Sequence, residues 1–428
     1  MSLEQPTLSA SGPPGRRWHA PAARLTTPDG KPLQWKRAGP GAGGPPDAVS
    51  HDIVSASVTL MNTGVGQAEI VLNNQRAGLT KPHTPPWRYN GLDPISFGTP
   101  IRIDMRYGDE PWTPMMQARV TDLGFSFPQA GPSLVTLKAE DLLSLLRVRP
   151  PKDILHKDSH EADMLTKELS EMQKGLQLAA RHTSFKEPIG RLTHPAAMTH
   201  LKFFEDLATR MDYELFVDFE PAPPGLPGAA APAPETRLHF EPARSNKKPA
   251  KTVKISRAEH VLEFKPAFKV WDQLTEAVAV GSAPGKRDEV QVASQLRVIP
   301  DEHYPAEGGA ELISAPEARA NAFPANDAGN SKKLETSNLT KERAQLQANA
   351  ALQSSLREFL TAELAVVGMT ALRPGMHVEL KGYYAPFDGV YYVTKATHAL
   401  SAAGYLTKLS LRRPGMSNPA AYPPEPVS

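Results

Sequence analysis

The sequence predicts a mainly β chain with an α+β insertion in its middle. Three observations predict it. Short runs rich in β-branched residues alternate apolar and polar from about residue 53 to 146, and β character returns from about 252 to 413. Between these sections, residues 155–215 change to helical spacing. Proline is frequent, at 43 of 428 residues, against a usual share of about 5%. Proline is excluded from helix interiors and central strands, so such a chain is divided by many loops and turns. No short repeat of fixed period is visible.

Residues 1–50 are rich in Pro, Gly and Ala ("GPPGRR", "AGPGAGGPPD") and read as a flexible arm and loops, with Lys31–Lys36 able to add one strand. "IVSASVTLMN" (Ile53–Asn62) and "QAEIVLNNQ" (Gln67–Gln75), joined by "TGVG", read as a hairpin. "TPIRIDMRYG" puts Ile101, Ile103 and Met105 on one face and Arg102, Asp104 and Arg106 on the other. "MMQARVTDLGFSF" and "SLVTLKAEDLLSLL" complete a compact barrel or sandwich over about 20–150. "SHEADMLTKELSEMQKGLQLAARH" then reads as a helix capped by Ser159, and "THLKFFEDLATRMD" as a second one capped by Thr199, with Leu201, Phe204, Leu207 and Ala208 on one stripe. "YELFVDFE" (Tyr213–Glu220) and "RLHFEP" are strands flanking "PAPPGLPGAAAPAPE", a low-complexity loop expected to be disordered over 221–234. "KTVKISRAEHVLEFKPAF" and "DQLTEAVAVGS" return to β character, and residues 283–336 read as irregular. A helix over Thr340–Phe359, capped by Ser337 or Thr340, precedes four strands: "LTAELAVVG", "MHVELKG", "GVYYVTKATHA" and "GYLTKLSLRR".

Composition excludes several classes. With 48 Lys plus Arg against 46 Asp plus Glu, no long-range field selects nucleic acid or an acidic membrane. Cysteine is absent, which removes disulfides, thiol catalysis and cysteine-based metal sites. No apolar run approaches the length of a membrane span, and the first residues lack an apolar signal core.

The motifs that could carry chemistry fail on spacing. "GSAPGKRD" (Gly281–Asp288) has three residues between its glycines, where a phosphate loop needs four, and Arg287 stands where a magnesium-binding hydroxyl belongs. "TGVGQ" (Thr63–Gln67) lies between strands and lacks the third glycine and the helix of a dinucleotide fingerprint. "HKDSHEAD" offers His156, Asp158, His160, Glu161 and Asp163 as ligand types. Their spacing is not that of a zinc protease, and an acidic, solvated first helical turn explains them as well. Asp301, Glu302 and His303 have no fixed separation from which a glycosidase pair could be argued. There is no GxSxG elbow. On this reading no catalytic residue, no cofactor-binding residue and no metal ligand is assigned.

"ALRPGMHVELKGYYAPFDGVYYVTKATHALSAAGYLTKLSLRR" resembles the end of the phage late-control protein D family. These are the baseplate hub proteins of contractile tails, related to the hub part of type VI secretion (VgrG) spike proteins. The resemblance is carried by Pro374-Gly375, Gly382, Phe387, Gly389, Tyr391, Val393, His398, Gly404-Tyr405, Thr407 and Arg412-Arg413. "HLKFFEDLATRMDYELFVD", "LHFEP" and "VLEFKPAFKVWDQLTEAVAVGSAPGKRDEV" match the family's middle. The resemblance is good over about 195–415 and general before that.

The resemblance implies two tube-type antiparallel β-barrels with a smaller α/β domain inserted between them, three chains forming a ring-shaped trimer. The expected division is an arm over 1–20, a first barrel over 21–150, the inserted domain over 151–244, a second barrel over 245–415 that includes the helix 340–359, and a tail over 416–428. The implied function is a structural, non-enzymatic adaptor between a hexameric tail tube and a trimeric spike. Its implied partners are two more copies of itself, the tail tube protein, other baseplate proteins such as a LysM-type protein, and a spike on a separate polypeptide, since this chain ends soon after Arg413. Neither nucleic-acid specificity nor membrane insertion is implied, and no cofactor. The particle would be assembled in the bacterial cytoplasm. The Pro-rich arm and the loop 221–234 have no counterpart in the family. Two other readings remain: a tail-associated cell-wall hydrolase, for which His156 and His160 would be tested, and a carbohydrate-binding β module using Trp87, Trp112 or Trp271. His398 reads as a strand-end hydrogen-bonding residue of the hairpin that closes the second barrel.

Overall fold

The computed structural model describes residues 20–34, 49–75, 87–108, 110–172, 179–182, 185–220, 235–244, 252–282, 289–295, 312–314, 330–337 and 339–417. The expected disorder of the arm and of the loop 221–234, the turn over 283–288, and the triplet Asp301, Glu302 and His303 lie outside them.

Six strands form the first β section: β1 (Pro21–Thr26), β2 (Ile53–Met61), β3 (Gln67–Asn73), β4 (Pro100–Tyr107), β5 (Thr113–Ser126) and β6 (Leu134–Asp141). They pair antiparallel in the order β1-β4-β5-β6-β3-β2. The period-2 pattern places Ala56, Val58 and Leu60 of β2 and Ala68, Ile70 and Leu72 of β3 in one core with Ile101, Ile103 and Met105. The polar face expected on β4 is buried as well at Arg102 and Asp104. The Nε–H groups of Arg24 and Arg102 donate to the two Asp104 carboxylate oxygens at 2.8 and 2.7 Å, so the acid is fully paired. The run Leu142–Leu146, read as part of a strand, is a 3-10 turn. Asp141 caps it by accepting from the Leu143 N–H at 2.9 Å, while its other oxygen accepts from the Gly66 N–H at 2.7 Å.

The middle of the chain folds as β7 (Ile154–Ser159), α1 (Glu161–Met172), β8 (Ala179–His182), β9 (Ile189–His194), α2 (His200–Met211), β10 (Tyr213–Glu220) and β11 (Glu235–Pro242). The first predicted helix is therefore too long. Ala179–His182 is a strand that pairs parallel with Arg237–Phe240 of β11, a tertiary partner overriding good helix formers. Ser159 does not cap α1: it ends β7, and its hydroxyl donates to the Lys157 carbonyl. The expected solvated turn is also corrected, because Glu161 is fully buried. Thr199 does cap α2, accepting from the Lys202 N–H at 3.3 Å. Leu201, Phe204, Leu207 and Ala208 face a separate core with Met164, Leu165, Leu238 and Phe240.

The last section contains β12 (Thr252–Ser256), β13 (Val261–Phe268), β14 (Glu276–Ser282), β15 (Glu289–Gln295), β16 (Leu312–Ser314), β17 (Ser331–Ser337), α3 (Lys341–Arg357), β18 (Leu360–Val367), β19 (His377–Lys381), β20 (Gly389–Ser401), β21 (Gly404–Arg413) and β22 (Gly415–Ser417). Residues 283–336 are less irregular than expected. β14 pairs with β15 antiparallel and with β17 parallel, and β16 pairs with β22. Met416 and Ser417 thus belong to a strand rather than to a tail. Thr340, not Ser337, caps α3. The third core joins Ala344, Ala348 and Leu352 of α3 to Leu364, Val378, Tyr391, Val393 and Leu409. β12 likewise departs from the antiparallel pattern, running parallel to β19.

The first and last β sections are not separate sheets. β20 pairs with β19 through Gly389–Tyr392 and with β2 through Lys395–Leu400. The resulting 12-stranded sheet runs β1-β4-β5-β6-β3-β2-β20-β21-β18-β13, with β19 and β12 branching from β20. The switch of partner coincides with a bulge at Val393/Lys395, the device by which a strand bends and leaves one ladder for another.

Candidate functional site

The three cores meet at polar junctions, and these are where the chain invests its buried charge. Glu214, on β10 and 2% exposed, accepts three hydrogen bonds. The Asn62 amide donates to Oε1 at 2.7 Å, the Tyr392 hydroxyl donates to Oε1 at 2.5 Å, and the Arg244 N–H donates to Oε2 at 3.2 Å. One carboxylate therefore ties the end of β2, the middle of β20 and the insert. Burial, then the Glu214 charge, holds the Tyr392 hydroxyl well above its usual pKa, so it stays a donor. A second junction uses Arg373. Its guanidinium donates to Asp218 of β10 at 3.0 Å and to the carbonyls of Pro114 and Met115 of β5. α3 is fixed to the insert at both ends. Arg343 donates to Glu161 at 2.5 Å and to the carbonyls of Glu187 and Pro188. Arg357 makes a two-pronged pair with Asp212, the left-handed residue that ends α2.

His398 lies on the seam itself, paired across to Val58 on β2 and Thr407 on β21. It hydrogen-bonds as expected, though within the strand rather than at its end. Its Nε2–H donates to the Leu372 carbonyl at 2.9 Å, and its Nδ1 accepts from the Tyr405 hydroxyl at 2.7 Å. Burial, with the nearby Arg373 charge, pushes its pKa down to about 3, against the Leu372 hydrogen bond. A neutral ring with both nitrogens engaged has no free lone pair with which to act as a base.

Of the ligand types in "HKDSHEAD", His156 enters a cluster and the others do not. His160 Nδ1 lies 3.1 Å from the Phe185 carbonyl, Glu161 is committed to Arg343, and Asp158 and Asp163 are exposed. The partners of His156 escaped sequence reading. Its Nε2 lies 2.7 Å from Glu168 Oε1, while His194 Nδ1 and His200 Nδ1 lie 2.8 and 2.6 Å from Glu168 Oε2. Burial raises the Glu168 pKa, but hydrogen bonds from His156 and His200 and the His194 charge outweigh it and hold the carboxyl down to about 2. The candidate tryptophans have separate surroundings. Trp87 packs edge-on against Phe127, Trp112 lies against the guanidinium groups of Arg24 and Arg106, and Trp271 is exposed beyond β13.

No known family model matches the sequence, and no curated protein matches it. Solved structures do. The tail protein of Neisseria meningitidis is 14% identical, with 95% of this chain and 100% of that one covered at a TM-score of 0.58. The fold is that of a phage tail protein. The 43 kDa tail protein of prophage MuSo2 from Shewanella oneidensis agrees, at 13% identity, 92% and 99% coverage and a TM-score of 0.57. A component of the E. coli type VI secretion system, described as structurally similar to bacteriophage tail proteins, matches at 10% identity, 85% and 73% coverage and a TM-score of 0.51. The tail-protein fold thus accounts for both β sections and the insert together, because the first two matches span nearly the whole of each chain.

Proposed function

We propose that this chain is the structural baseplate hub of a contractile phage tail or a tail-like injection system, of the late-control protein D kind. The observation that carries the reading is the single sheet through β2 and β20, in a chain whose fold matches a tail protein over 95% of its length. Two β sections joined in one sheet suit a subunit that offers two tube-like units per chain. Three such chains present six units to a hexameric tube while keeping threefold symmetry for a spike. On this reading residues 21–150 and 245–415 are the two barrels and 151–244 the inserted domain. The tail tube protein, a separate spike and a LysM-type protein are neighbours, and the particle is assembled in the bacterial cytoplasm.

The surface supports an assembly role. β1 and β13 end the path of the sheet, and an open strand edge needs covering. Leu262 and Phe268 on β13 and Trp271 just beyond it are exposed, Leu262 at 63% and Trp271 at 65%. Size-exclusion chromatography with light scattering, on the chain alone and mixed with its spike protein, tests the reading. A trimer, alone or with the spike, is expected. A chain that stays monomeric with the spike present overturns it.

A further inference from the structure

The structure assigns a zinc-binding site to Glu168, His194 and His200, with His156 supporting it from behind. Four elements converge there: Glu168 comes from α1, His194 is the last residue of β9, His200 is the first of α2, and His156 comes from β7. One ligand atom from each of Glu168, His194 and His200 lies within 4.8 Å of the other two. Glu168 and His194 are completely buried, and His156 and His200 are 3% and 4% exposed.

Proton counting shows that this cluster calls for a cation. His194 Nε2 lies 3.2 Å from the Met198 carbonyl, which can only accept, so this nitrogen carries the hydrogen. In the neutral ring Nδ1 then presents a lone pair. Yet Nδ1 faces Glu168 Oε2 at 2.8 Å, and a carboxylate also presents lone pairs. Two lone pairs held at that distance need a cation between them, either a proton on His194 or a metal ion. His200 Nδ1 is directed at the same oxygen at 2.6 Å.

The outer contacts are those of a metal centre. A ligating imidazole normally donates its other N–H to a carbonyl or carboxylate, as His194 does to Met198, and a ligating carboxylate is itself hydrogen-bonded, as Glu168 Oε1 is by His156. Ring orientation is fixed as well. His194 stacks on Phe203 with centroids 4.2 Å apart, and stands at 87° to His200. Two imidazoles and one carboxylate are a zinc donor set, completed by water. Ligand atoms around tetrahedral zinc lie about 3.3 Å apart, so binding asks the Glu168 side chain to withdraw by a fraction of an ångström from its present contacts. Because the site is enclosed, the ion would staple β7, β9, α1 and α2 together and act in folding rather than in turnover.

The test uses the untagged full-length chain, stripped with a chelator and then reconstituted with zinc. About one zinc per chain after gel filtration is expected, with a higher melting temperature than the stripped protein. His194→Gln and Glu168→Gln should lose the metal, and His156→Leu should weaken zinc affinity by about 10–100-fold at unchanged stoichiometry. Should the variants fail to fold, cobalt added to the stripped wild-type chain decides: visible absorption of a four- or five-coordinate nitrogen–oxygen site supports the assignment. A wild-type chain that takes up neither zinc nor cobalt overturns it and leaves a shared proton as the cation. Stoichiometric zinc that persists in folded His194→Gln and Glu168→Gln proteins also overturns it.

Discussion

At the scale of single residues, His398 shows how a buried titratable group can serve packing alone. Protonating Nδ1 would oppose the hydrogen bond from Tyr405 and add a charge beside Arg373 in the seam. With the folded pKa at about 3 against 6.5 for the free ring, the unfolded chain takes up a proton between these values that the folded chain does not. The stability that His398 contributes is therefore complete above pH 6.5 and falls as the pH drops towards 3. The loss is on the order of 5 kcal/mol at ~1.4 kcal/mol per pKa unit. His398→Gln cannot titrate. The stability gap between wild type and this variant, measured by urea unfolding, should be widest near neutral pH and should narrow by pH 4. A gap that is constant with pH would rule out the buried neutral ring. The cluster around Glu168 was hidden from the sequence for a related reason. Its histidines stand 12, 26 and 32 residues from Glu168, and no local motif links such separations. His156 alone was visible, as one of several ligand types in a polar stretch.

At the scale of elements, caps and registers decide what was legible. α3 begins where Thr340 Oγ1 accepts from the Arg343 N–H at 3.3 Å and donates to Glu187 at 2.9 Å, so one hydroxyl both caps the helix and ties it to the insert. Thr340→Ala should lower stability by about 1–2 kcal/mol, while Thr340→Ser keeps most of it. Thermal or chemical unfolding of the two variants checks this, and equal losses in both would show that the hydroxyl is not the cause. The capping residue of α2 and the strands of the first section could be read because period and cap chemistry are local. β8 and β17 could not. "AARH" favours a helix, and "SKKLETS" is almost wholly polar, yet both become strands by pairing parallel with partners distant in sequence, β11 and β14. The joining of the two β sections escaped the sequence as well. It coincides with the bulge at Val393/Lys395, where β20 adds a residue with no compositional mark.

At the scale of the whole molecule, three apolar cores would by themselves permit three independently melting units. The junctions act against this. Glu214 is contacted from the end of β2, from β20 and from its own insert, and Arg373 links β5 to β10. A buried carboxylate with three donors costs desolvation, but removing it costs more, because Tyr392 and Asn62 are then left without their acceptor. Paired buried charge fixes the relative position of the parts more narrowly than apolar contact does. Differential scanning calorimetry of the wild-type chain should accordingly show one cooperative transition. Glu214→Leu should lose about 2–4 kcal/mol and melt in two steps, the insert separating from the sheet. A variant that still melts once, at the wild-type temperature, would show that the coupling resides elsewhere in the interface.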